Sequence, residues 1–499
     1  MTEVAARRTA ALNDEPVRPH GGYVLYWMIA QRRTRSNHAL ARAAGWARTL
    51  GRPLLVFEPL GAGYRWASDR LHRFVLDGMA DNAAACAAAG VTYYPYVEPA
   101  RGAGRRLLAA LAAGAAVVVT DDYPAFTIPR LVAAAVPQVP VRFEQVDGNG
   151  LLPMRAAGRA FPTAVAFRRF LQRTLPDHLE PPPPDPLADV PRAAATVPAG
   201  ILARWPAAAP ALLVGRTALD ALPIDHRVTP TPRRGGAQAA AATLRAFLAS
   251  GLPEYAQRGR HDLERDATSG LSPYLHFGHI GSHEVFAAIM QHDGWLGHLP
   301  STATGAREGW WGVGAAAEAY LDQLVTWREL GFNMCAHRSD YDRYDSLPPW
   351  ARTTLEAHAD DPRPRVYSYE QFAAAATHDP LWNAAQRQLQ AEGRIHTYLR
   401  MLWGKKVLEW TPSPQDALAV LIELNNTYAL DGRDPNSYSG IFWTFGRYDH
   451  PWAPERPIFG TVRYMSSANT ARKLSVRGYL RRYGDPATDR QPALFESGG

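Results

Sequence analysis

Short apolar runs alternate with segments in which apolar residues recur at the helical period along the first third of the chain. The apolar runs predict buried strands at residues 23–28, 53–57, 92–97, 116–120 and 141–146. The segments between them predict helices at residues 37–50, 69–88 and 104–113. Strands and helices that alternate in this way build a parallel sheet covered by helices on both faces, with ligands at the carboxyl ends of the strands. The sequence therefore predicts an N-terminal α/β domain that is doubly wound and Rossmann-like.

The pattern changes near residue 181, where four consecutive prolines begin a Pro/Ala-rich stretch that continues to about residue 210. This stretch contains too much proline for a long helix or a central strand. We therefore interpret residues 176–236 as an interdomain connection. Further predicted helices lie at 237–249, 283–291, 315–333, 380–392, 396–409 and 414–427. These helices predict an all-α C-terminal domain.

The two ends of the chain lack the apolar periodicity of the interior. Residues 1–20 are polar and contain no apolar region of the kind found in signal peptides, so we expect a disordered tail. Residues 484–499 are expected to form a second, flexible tail. The predicted domains are therefore 21–175 for the α/β domain and 237–483 for the helical domain. Since no run approaches the roughly 18 apolar residues of a membrane span, we expect no membrane association.

Composition adds a preference for a polyanionic partner. The chain of 499 residues has a formal net charge of +7. Arginine dominates its basic residues, so a GC-rich genome also explains part of this charge. The 14 tryptophans provide ample aromatic surface for packing, stacking or electron transfer. Only Cys86 and Cys335 are present, which excludes a disulfide framework and a four-cysteine metal site. We expect a monomer in the cytoplasm.

Four strings stand out in the second half. Residues 268–278, Thr-Ser-Gly-Leu-Ser-Pro-Tyr-Leu-His-Phe-Gly, place hydroxyl groups and a glycine at the entry of a predicted helix. Such an entry can hold phosphate oxygens, and taken alone it fits an ordinary helix cap equally well. The other strings are His-Asp-Pro-Leu-Trp-Asn at 378–383, His-Thr-Tyr-Leu-Arg-Met-Leu-Trp-Gly-Lys-Lys-Val-Leu-Glu-Trp at 396–410 and Leu-Asn-Asn-Thr-Tyr-Ala-Leu-Asp-Gly-Arg-Asp-Pro-Asn at 424–436.

Together with Arg-Tyr-Met-Ser at 463–466, these strings resemble the class II cyclobutane pyrimidine dimer photolyases of the photolyase/cryptochrome family. The resemblance covers most of residues 240–480. It implies noncovalent FAD, reduced in the active state, and DNA containing cyclobutane pyrimidine dimers as the partner. The implied enzyme is a deoxyribodipyrimidine photo-lyase, a carbon–carbon lyase. It would repair DNA in the light by electron transfer from photoexcited reduced FAD, and DNA binding would associate it with the nucleoid.

The resemblance also assigns flavin-binding roles to individual residues. Asn425 matches a catalytic position beside the reactive flavin nitrogen, where a neutral amide can form a hydrogen bond. Arg400 and Asp431 match a charged pair near the flavin ring. The other implied FAD contacts are Tyr255, Thr268, Ser269, Leu271, Ser272 and Gly432.

Trp382, Trp403 and Trp410 match the family's catalytic chain of tryptophans, which carries electrons from the protein surface to the flavin. Trp403 and Trp410 are seven residues apart and hence nearly on one helical face. Periodicity alone would assign them to the core. The role in electron transfer follows from the resemblance, which also leads us to expect partial exposure of one tryptophan at the edge of the chain.

Three residues match positions that bind the lesion, namely Gln323, Trp327 and Trp443. The two tryptophans would form the aromatic platform that an extruded base needs. The family pattern has two glutamates where this chain has Asp322 and Gln323. Gln323 can still donate a hydrogen bond through its amide, but it has no carboxyl proton to offer. This difference lowers the expected repair efficiency.

Other interpretations remain open at the level of sequence. A cryptochrome-like blue-light photoreceptor would use the same flavin and tryptophans, and a photolyase for (6-4) photoproducts is a third alternative. The α/β domain could hold a deazaflavin, another antenna chromophore or none, with residues 22–37 as one wall of the pocket. His276, His279 and His283 have a spacing that metal ligands can use, but no carboxylate completes a metal motif, so we expect no metal site.

Overall fold

The computed structural model describes residues 7–179, 185–188, 190–215, 219–256, 262–263, 267–295, 297–300 and 302–485. The chain divides into two compact units, which we call the α/β unit and the helical unit. The α/β unit comprises Met1–Ala249, Ser269–Ser339 and Arg433–Asn436, and the helical unit comprises Ser250–Thr268, Asp340–Gly432 and Ser437–Gly499. The predicted boundary at residue 237 does not coincide with this division, because residues 269–339 cluster with the sheet.

The α/β unit is built on one six-stranded sheet. Its strands are β1 Thr9–Ala11, β2 Tyr23–Trp27, β3 Leu54–Leu60, β4 Thr92–Val97, β5 Ala115–Asp121 and β6 Phe143–Val146. Their order is β1-β6-β5-β2-β3-β4, with β1 antiparallel and all other pairs parallel. The strand order reverses beside β2, whose neighbours are β5 and β3. The predicted doubly wound parallel sheet is therefore confirmed, with one antiparallel strand added at its edge.

Both faces of the sheet are buried, as the nearly continuous apolar runs predict. Leu25 and Trp27 of β2 belong to one hydrophobic core. Val24 and Tyr26 of the same strand belong to a second core on the opposite face. Successive side chains of a strand point to opposite faces, so one short sequence supplies both cores.

Helices account for the rest of the regular structure. In the first part of the chain they are α1 His38–Leu50, α2 Asp69–Ala89, α3 Leu107–Ala113, α4 Ile128–Ala135, α5 Ala164–Thr174, α6 Ala199–Arg204, α7 Pro210–Val214 and α8 Ala237–Ala246. They continue with α9 Leu252–Glu254, α10 Ser272–His276, α11 Ser282–His292, α12 Ala315–Leu321 and α13 Arg328–His337. The final helices are α14 Pro349–Ala357, α15 Tyr369–Ala373, α16 Pro380–Glu392, α17 Thr397–Glu409, α18 Pro414–Tyr428, α19 Pro435–Trp443, α20 Ser467–Lys473 and α21 Arg477–Tyr483. No helix of the described residues is long and apolar enough to cross a bilayer.

The expectation of a disordered tail over residues 1–20 is wrong for its described part. Thr9–Ala11 pairs with β6 as an edge strand. Arg8, which is 1% exposed, donates hydrogen bonds to the backbone carbonyls of Gly150 and Leu151. Backbone pairing and one buried arginine thus order a segment that lacks an apolar pattern. Residues 1–6 and 486–499 of the predicted tails lie outside the described residues.

The predicted interdomain connection is also wrong for most of its described part, because it packs as a cover on the α/β unit. Trp205 joins one core of the sheet, and Leu187 joins the core on the other face. Leu213 and Leu222 form a third cluster with residues of α2. Isolated large apolar side chains bury themselves here without long helices, so proline density did not indicate a linker.

Candidate functional site

Three buried tryptophans of the helical unit form a continuous stack. Trp382 on α16 lies parallel to Trp403 on α17, with ring centroids 6.3 Å apart and an interplanar angle of 6°. Trp410 meets the same Trp382 ring at 6.1 Å and 66°. The indole N–H of Trp382 donates to the Trp403 carbonyl, and that of Trp403 donates to Gln386. Their order is therefore Trp403, Trp382, Trp410, with Trp382 in the middle.

The expectation that one of these tryptophans is partly exposed is wrong. Trp410, at the end of the stack, is only 4% exposed. His378 and Tyr367 pack edge-on against its ring at 4.9 Å and 5.7 Å, and the Lys406 ammonium lies 5.4 Å from its centroid. Lys406 is paired with Glu409 at 2.6 Å, which balances its charge. These side chains cover the indole and separate it from solvent.

Arg400 organises a polar cluster on the same helix as Trp403. Its guanidinium forms an ion pair with Asp431 at 3.2 Å. It also donates to the side-chain oxygens of Asn425 and Ser437. The structure thus brings three of the predicted flavin residues together, with Ser437 as a fourth member that the sequence did not single out. A planar guanidinium can bind several oxygens at fixed angles, which orients the Asn425 amide.

Hydrogen bonds within the protein engage every polar atom of the Asn425 side chain. The Asn425 amide nitrogen donates to Ser437 at 2.8 Å and to Asn426 at 3.2 Å, so both of its hydrogens have partners within the protein.

Gln386 is fully buried, yet its amide nitrogen has no hydrogen-bond partner among the described residues. A buried, unused N–H group is costly unless a ligand accepts its hydrogen bond. Gln386 is therefore a candidate flavin contact that sequence reasoning missed.

Gly432 permits the close approach of the loop that carries Asp431. A Cβ atom at Gly432 would lie 2.8 Å from the Asn425 carbonyl oxygen and 3.0 Å from the Asn426 Cα. Any larger residue would therefore push the loop away from the end of α18. Close packing therefore requires glycine at position 432, where the backbone lies beside that of Asn425.

The predicted phosphate segment crosses the boundary between the two units. Thr268 belongs to the helical unit, where its hydroxyl lies 3.5 Å from Arg394. Arg394 is also paired with Glu392, and it offers a positive charge that the sequence analysis did not identify. Tyr255, the remaining predicted contact in this unit, follows α9 and is 7% exposed.

The rest of the segment belongs to the α/β unit. The Ser269 hydroxyl accepts a hydrogen bond from the Leu271 backbone N–H at 3.3 Å. Gly270 has φ +63°, a conformation that favours glycine, and its carbonyl accepts from Arg233. Leu271 and Ser272 lead into α10. This local turn explains the hydroxyl and glycine pattern in structural terms.

The first two predicted lesion residues lie on a π-helical turn of the α/β unit, Asp322–Trp327. Gln323 and Trp327 are both half-buried. Asp322 is buried, and its carboxylate accepts from Arg168 at 2.8 Å and from the Trp327 indole at 3.2 Å. Asp322 therefore holds the Trp327 ring, a role that the sequence analysis did not assign. Such π-helical turns are rare and frequently occur at functional sites.

Trp443, the third predicted lesion residue, ends α19 in the helical unit and is half-buried. The Lys405 ammonium lies 4.9 Å from its ring centroid, and the Arg463 guanidinium lies 5.6 Å from it. Arg463 also stacks on Trp452 at 3.9 Å. Cations and aromatic rings thus alternate in this part of the unit, an arrangement that suits stacked bases and phosphates.

A cavity of about 900 Å³ opens at the carboxyl ends of the strands in the α/β unit. Its walls include Trp27 at the end of β2 and Tyr123 just after β5. This is the point at which the strand order reverses, where doubly wound folds bind ligands. The walls combine aromatic rings such as Phe126 with the cations Arg32 and Arg433. The buried Trp27 indole N–H has no partner among the described residues and remains available to a ligand.

The three closely spaced histidines serve three different structural purposes. The Nδ1 atom of His276 is hydrogen-bonded to the Asp434 carboxylate at 3.3 Å. His279 accepts a hydrogen bond from the Gly236 backbone N–H, and burial lowers its pKa to about 3. His283 lies 3.2 Å from Arg8. Within the described residues, no group of three metal-ligating side chains converges.

Comparisons with known proteins agree with this architecture. A family model described as DNA photolyase matches residues 24–187. The deoxyribodipyrimidine photo-lyase of Methanothermobacter thermautotrophicus is 33% identical over 484 residues, which cover 96% of this chain and 98% of the relative. The deoxyribodipyrimidine photo-lyase of Oryza sativa subsp. japonica is 32% identical, and the match covers 92% of this chain and 87% of the relative.

A solved structure shares the fold at low sequence identity. The crystal structure of a class III photolyase from Agrobacterium tumefaciens matches with a TM-score of 0.67 and 17% identity, covering 93% of this chain and 86% of that one. This match supports the fold, while the 33% identity over nearly the full length of both proteins establishes descent. The chain belongs to the DNA photolyase family.

Proposed function

We propose that this protein repairs cyclobutane pyrimidine dimers in DNA when it is illuminated, as a deoxyribodipyrimidine photo-lyase. The relatives that carry this name are about one-third identical over most of the chain. The structural observation that carries the proposal is the stack of Trp403, Trp382 and Trp410, because a buried run of indoles in mutual contact is a route for electrons. The class II assignment is part of this proposal and rests on the strings around residues 396–410 and 424–436.

Noncovalent FAD is the proposed cofactor, and the residues of the helical unit fit it. Bound reduced FAD would supply the electron that opens the cyclobutane ring after absorption of light. Arg400 would hold the Asn425 side chain in place beside the ring system, and Gln386 would donate its unused N–H group. Thr268 and Arg394 offer a hydroxyl and a positive charge suited to phosphate oxygens. Asp431 would keep the Arg400 guanidinium in place.

The tryptophans and the lesion residues have separate roles in the proposal. Trp410, Trp382 and Trp403 would pass one electron inward to the flavin. This leaves Trp410 as the oxidised indole, which a reductant in solution would reduce again. Trp443 of the helical unit would offer its ring to an extruded base, and Trp327 of the α/β unit would likewise offer an aromatic face. Gln323, which is half-buried, would donate a hydrogen bond to the dimer through its amide.

The cavity of the α/β unit is the proposed site of an antenna chromophore. Its volume of about 900 Å³ suits a molecule of a few fused rings. The aromatic walls favour a planar ligand. Arg32 is paired with Glu58, but Arg105, Arg106 and Arg433 also line the cavity, against one lining carboxylate, Glu98, and they favour a ligand that carries a negative charge. A deazaflavin or another chromophore of this type satisfies both requirements. Reconstitution with a deazaflavin should produce an absorption band in the purified protein, and Trp27→Phe should weaken its retention because the indole N–H is lost.

The decisive experiment is anaerobic illumination of the reduced, purified protein with an oligonucleotide that contains one thymine dimer. Restoration of thymine absorbance in the light, and not in the dark, is the expected result. Protein that stays colourless after incubation with FAD would contradict the cofactor assignment. Protein that binds FAD and becomes photoreduced, yet restores no thymine, would favour a blue-light photoreceptor in its place.

A further inference from the structure

Lysine is rare in this protein, and its placement is selective. Of the 54 basic residues, only Lys405, Lys406 and Lys473 are lysines. Lys473 is exposed, and Lys406 is paired with Glu409. Lys405 is different because it is fully buried within α17. A chain that uses arginine almost everywhere thus carries a lysine at a position that no solvent reaches.

The Lys405 ammonium lies against the face of the Trp443 ring. It donates a 2.6 Å hydrogen bond to the carbonyl of Thr444, the residue that follows Trp443. It also lies 4.9 Å from the Trp443 ring centroid. The adjacent Gly404 lets α17 approach this turn, since a Cβ atom there would come within 2.5 Å of the Thr444 hydroxyl oxygen. Helix α17 therefore supports the Trp443 turn through two consecutive residues.

A purely structural role does not account for an ammonium group here. A buried charge costs free energy unless it is paired, and an apolar side chain of similar size is often as stable or more stable. The Lys405 ammonium has one neutral hydrogen-bond acceptor, the Thr444 carbonyl. Two charged groups act on it from nearby: Asp449 raises the pKa of Lys405 and Arg463 lowers it. The contact with the aromatic ring is the interaction that a neutral side chain could not supply.

We propose that Lys405 is a positioning residue for lesion recognition, whose ammonium holds the Trp443 ring in the orientation that receives an unpaired base. The inference rests on the proposed role of Trp443 at the lesion. A charge against one part of the ring restricts its rotation before DNA arrives, so less orientational freedom is lost when a base stacks.

Because the Lys405 ammonium is buried against the Trp443 ring, lesion recognition should depend on pH. Burial lowers the pKa of Lys405 to about 7, with a smaller contribution from Arg463, while Asp449 opposes the shift. Below that pH the ammonium is charged and holds the ring, and above it the neutral amine loses the cation–π contact. In the unfolded chain Lys405 keeps its proton to much higher pH. The folded protein should therefore gain stability as the pH rises above about 7, and Lys405→Met should remove this gain.

The test compares affinities for damaged and intact duplexes at pH 6 and pH 8.5, at one salt concentration. In the wild-type holoprotein, the ratio of the two affinities should fall by about three- to tenfold between these pH values, the usual range for a cation–π contact. Lys405→Met should show the lower ratio at both pH values. Lys405→Arg keeps the charge and should hold the higher ratio at both. The matched control is Lys473→Met, which removes an exposed charge and should retain the wild-type pH dependence.

A second measurement needs neither DNA nor a stable variant at position 405. With 5-fluorotryptophan incorporated into the wild-type protein, the 19F resonance of Trp443, assigned through Trp443→Phe, should titrate with a midpoint near pH 7. A Trp443 resonance that does not titrate would overturn the proposal.

The outcomes separate this inference from the proposed function. If Trp443→Ala lowers the affinity ratio while the wild-type ratio is the same at both pH values, Lys405 has no positioning role and the lesion assignment of Trp443 stands. If Trp443→Ala leaves the ratio unchanged, the lesion assignment fails. The fluorine titration then decides by itself whether Lys405 sets the orientation of the ring.

Discussion

The helical unit holds two groups of tryptophans in opposite electrostatic surroundings. Trp382 and Trp403 are buried against each other, and their indole N–H groups bond to neutral oxygens. Trp443 is half-buried, with Lys405 and Arg463 against its ring. The two groups share a residue type and differ in charge and exposure.

This difference explains how one residue type can serve two purposes. A cation beside an indole stabilises the neutral ring and disfavours its oxidation, because the radical cation would face a like charge. Neutral, tightly packed surroundings suit a tryptophan that gives up an electron. A half-exposed ring held by cations suits a tryptophan that binds a base and lies near phosphates. The environment therefore predicts the role more reliably than the residue type does.

The largest expected effect follows from breaking the stack at its centre. Trp382→Phe should nearly abolish photoreduction of oxidised FAD, because both other tryptophans contact Trp382. Repair by chemically reduced protein should persist. The rate of flavin bleaching in the light measures the effect. Trp350 is a half-buried tryptophan of the same unit. The control is Trp350→Phe, in which oxidised FAD should be photoreduced at the wild-type rate.

The second test removes the cation-flanked ring. Trp443→Ala should weaken discrimination between damaged and intact DNA by about 1–3 kcal/mol, the typical contribution of one stacked base. Nonspecific affinity should change little, because contacts between basic residues and phosphates supply it. Competition binding at constant salt measures both quantities. If Trp443→Ala also slows photoreduction of FAD, the two groups of tryptophans do not have separate roles.

A smaller effect on photoreduction is expected at Trp410, the stacked tryptophan that has a cation against its ring. Lys406 lies over Trp410, and Glu409 neutralises it. Glu409→Gln should leave the ammonium unbalanced and slow photoreduction several-fold, since an oxidised Trp410 would face a net charge. Transient absorption of the tryptophan radical measures this. Glu455→Gln, at an exposed carboxylate of the same unit, is the control and should have no effect.

The smallest expected effect concerns the hydrogen bond to the lesion. Gln323→Glu should raise repair per absorbed photon, because a protonated carboxyl would better stabilise negative charge developing on the dimer. The carboxyl should stabilise the negatively charged dimer by about 0.5–1.5 kcal/mol, the usual net free energy of one hydrogen bond. Quantum yield at matched FAD content measures it. Equal yields for both proteins would show that position 323 does not contact the dimer.

Much of the fold could be predicted because its signals are local. The continuous apolar run of β2 identifies a buried strand whose two faces enter two cores. Asp379 and Pro380 begin α16, and Gly393 ends it, so its bounds agree with the prediction. The edge strand Thr9–Ala11 could not be predicted, because its three residues are held by pairing with distant β6. The cover around Trp205 escaped prediction for the same reason.

The sequence by itself determined the order of elements, the strings that place this chain in its family, and the residues in those strings. Only the tertiary structure decided that Trp403 and Trp410 meet through Trp382. It also brought Lys405 beneath a ring that lies 38 positions further along the chain. The physical reason is that helix and strand periods depend on neighbouring residues. Charge, burial and ring contact depend instead on distant segments that meet only when the chain packs.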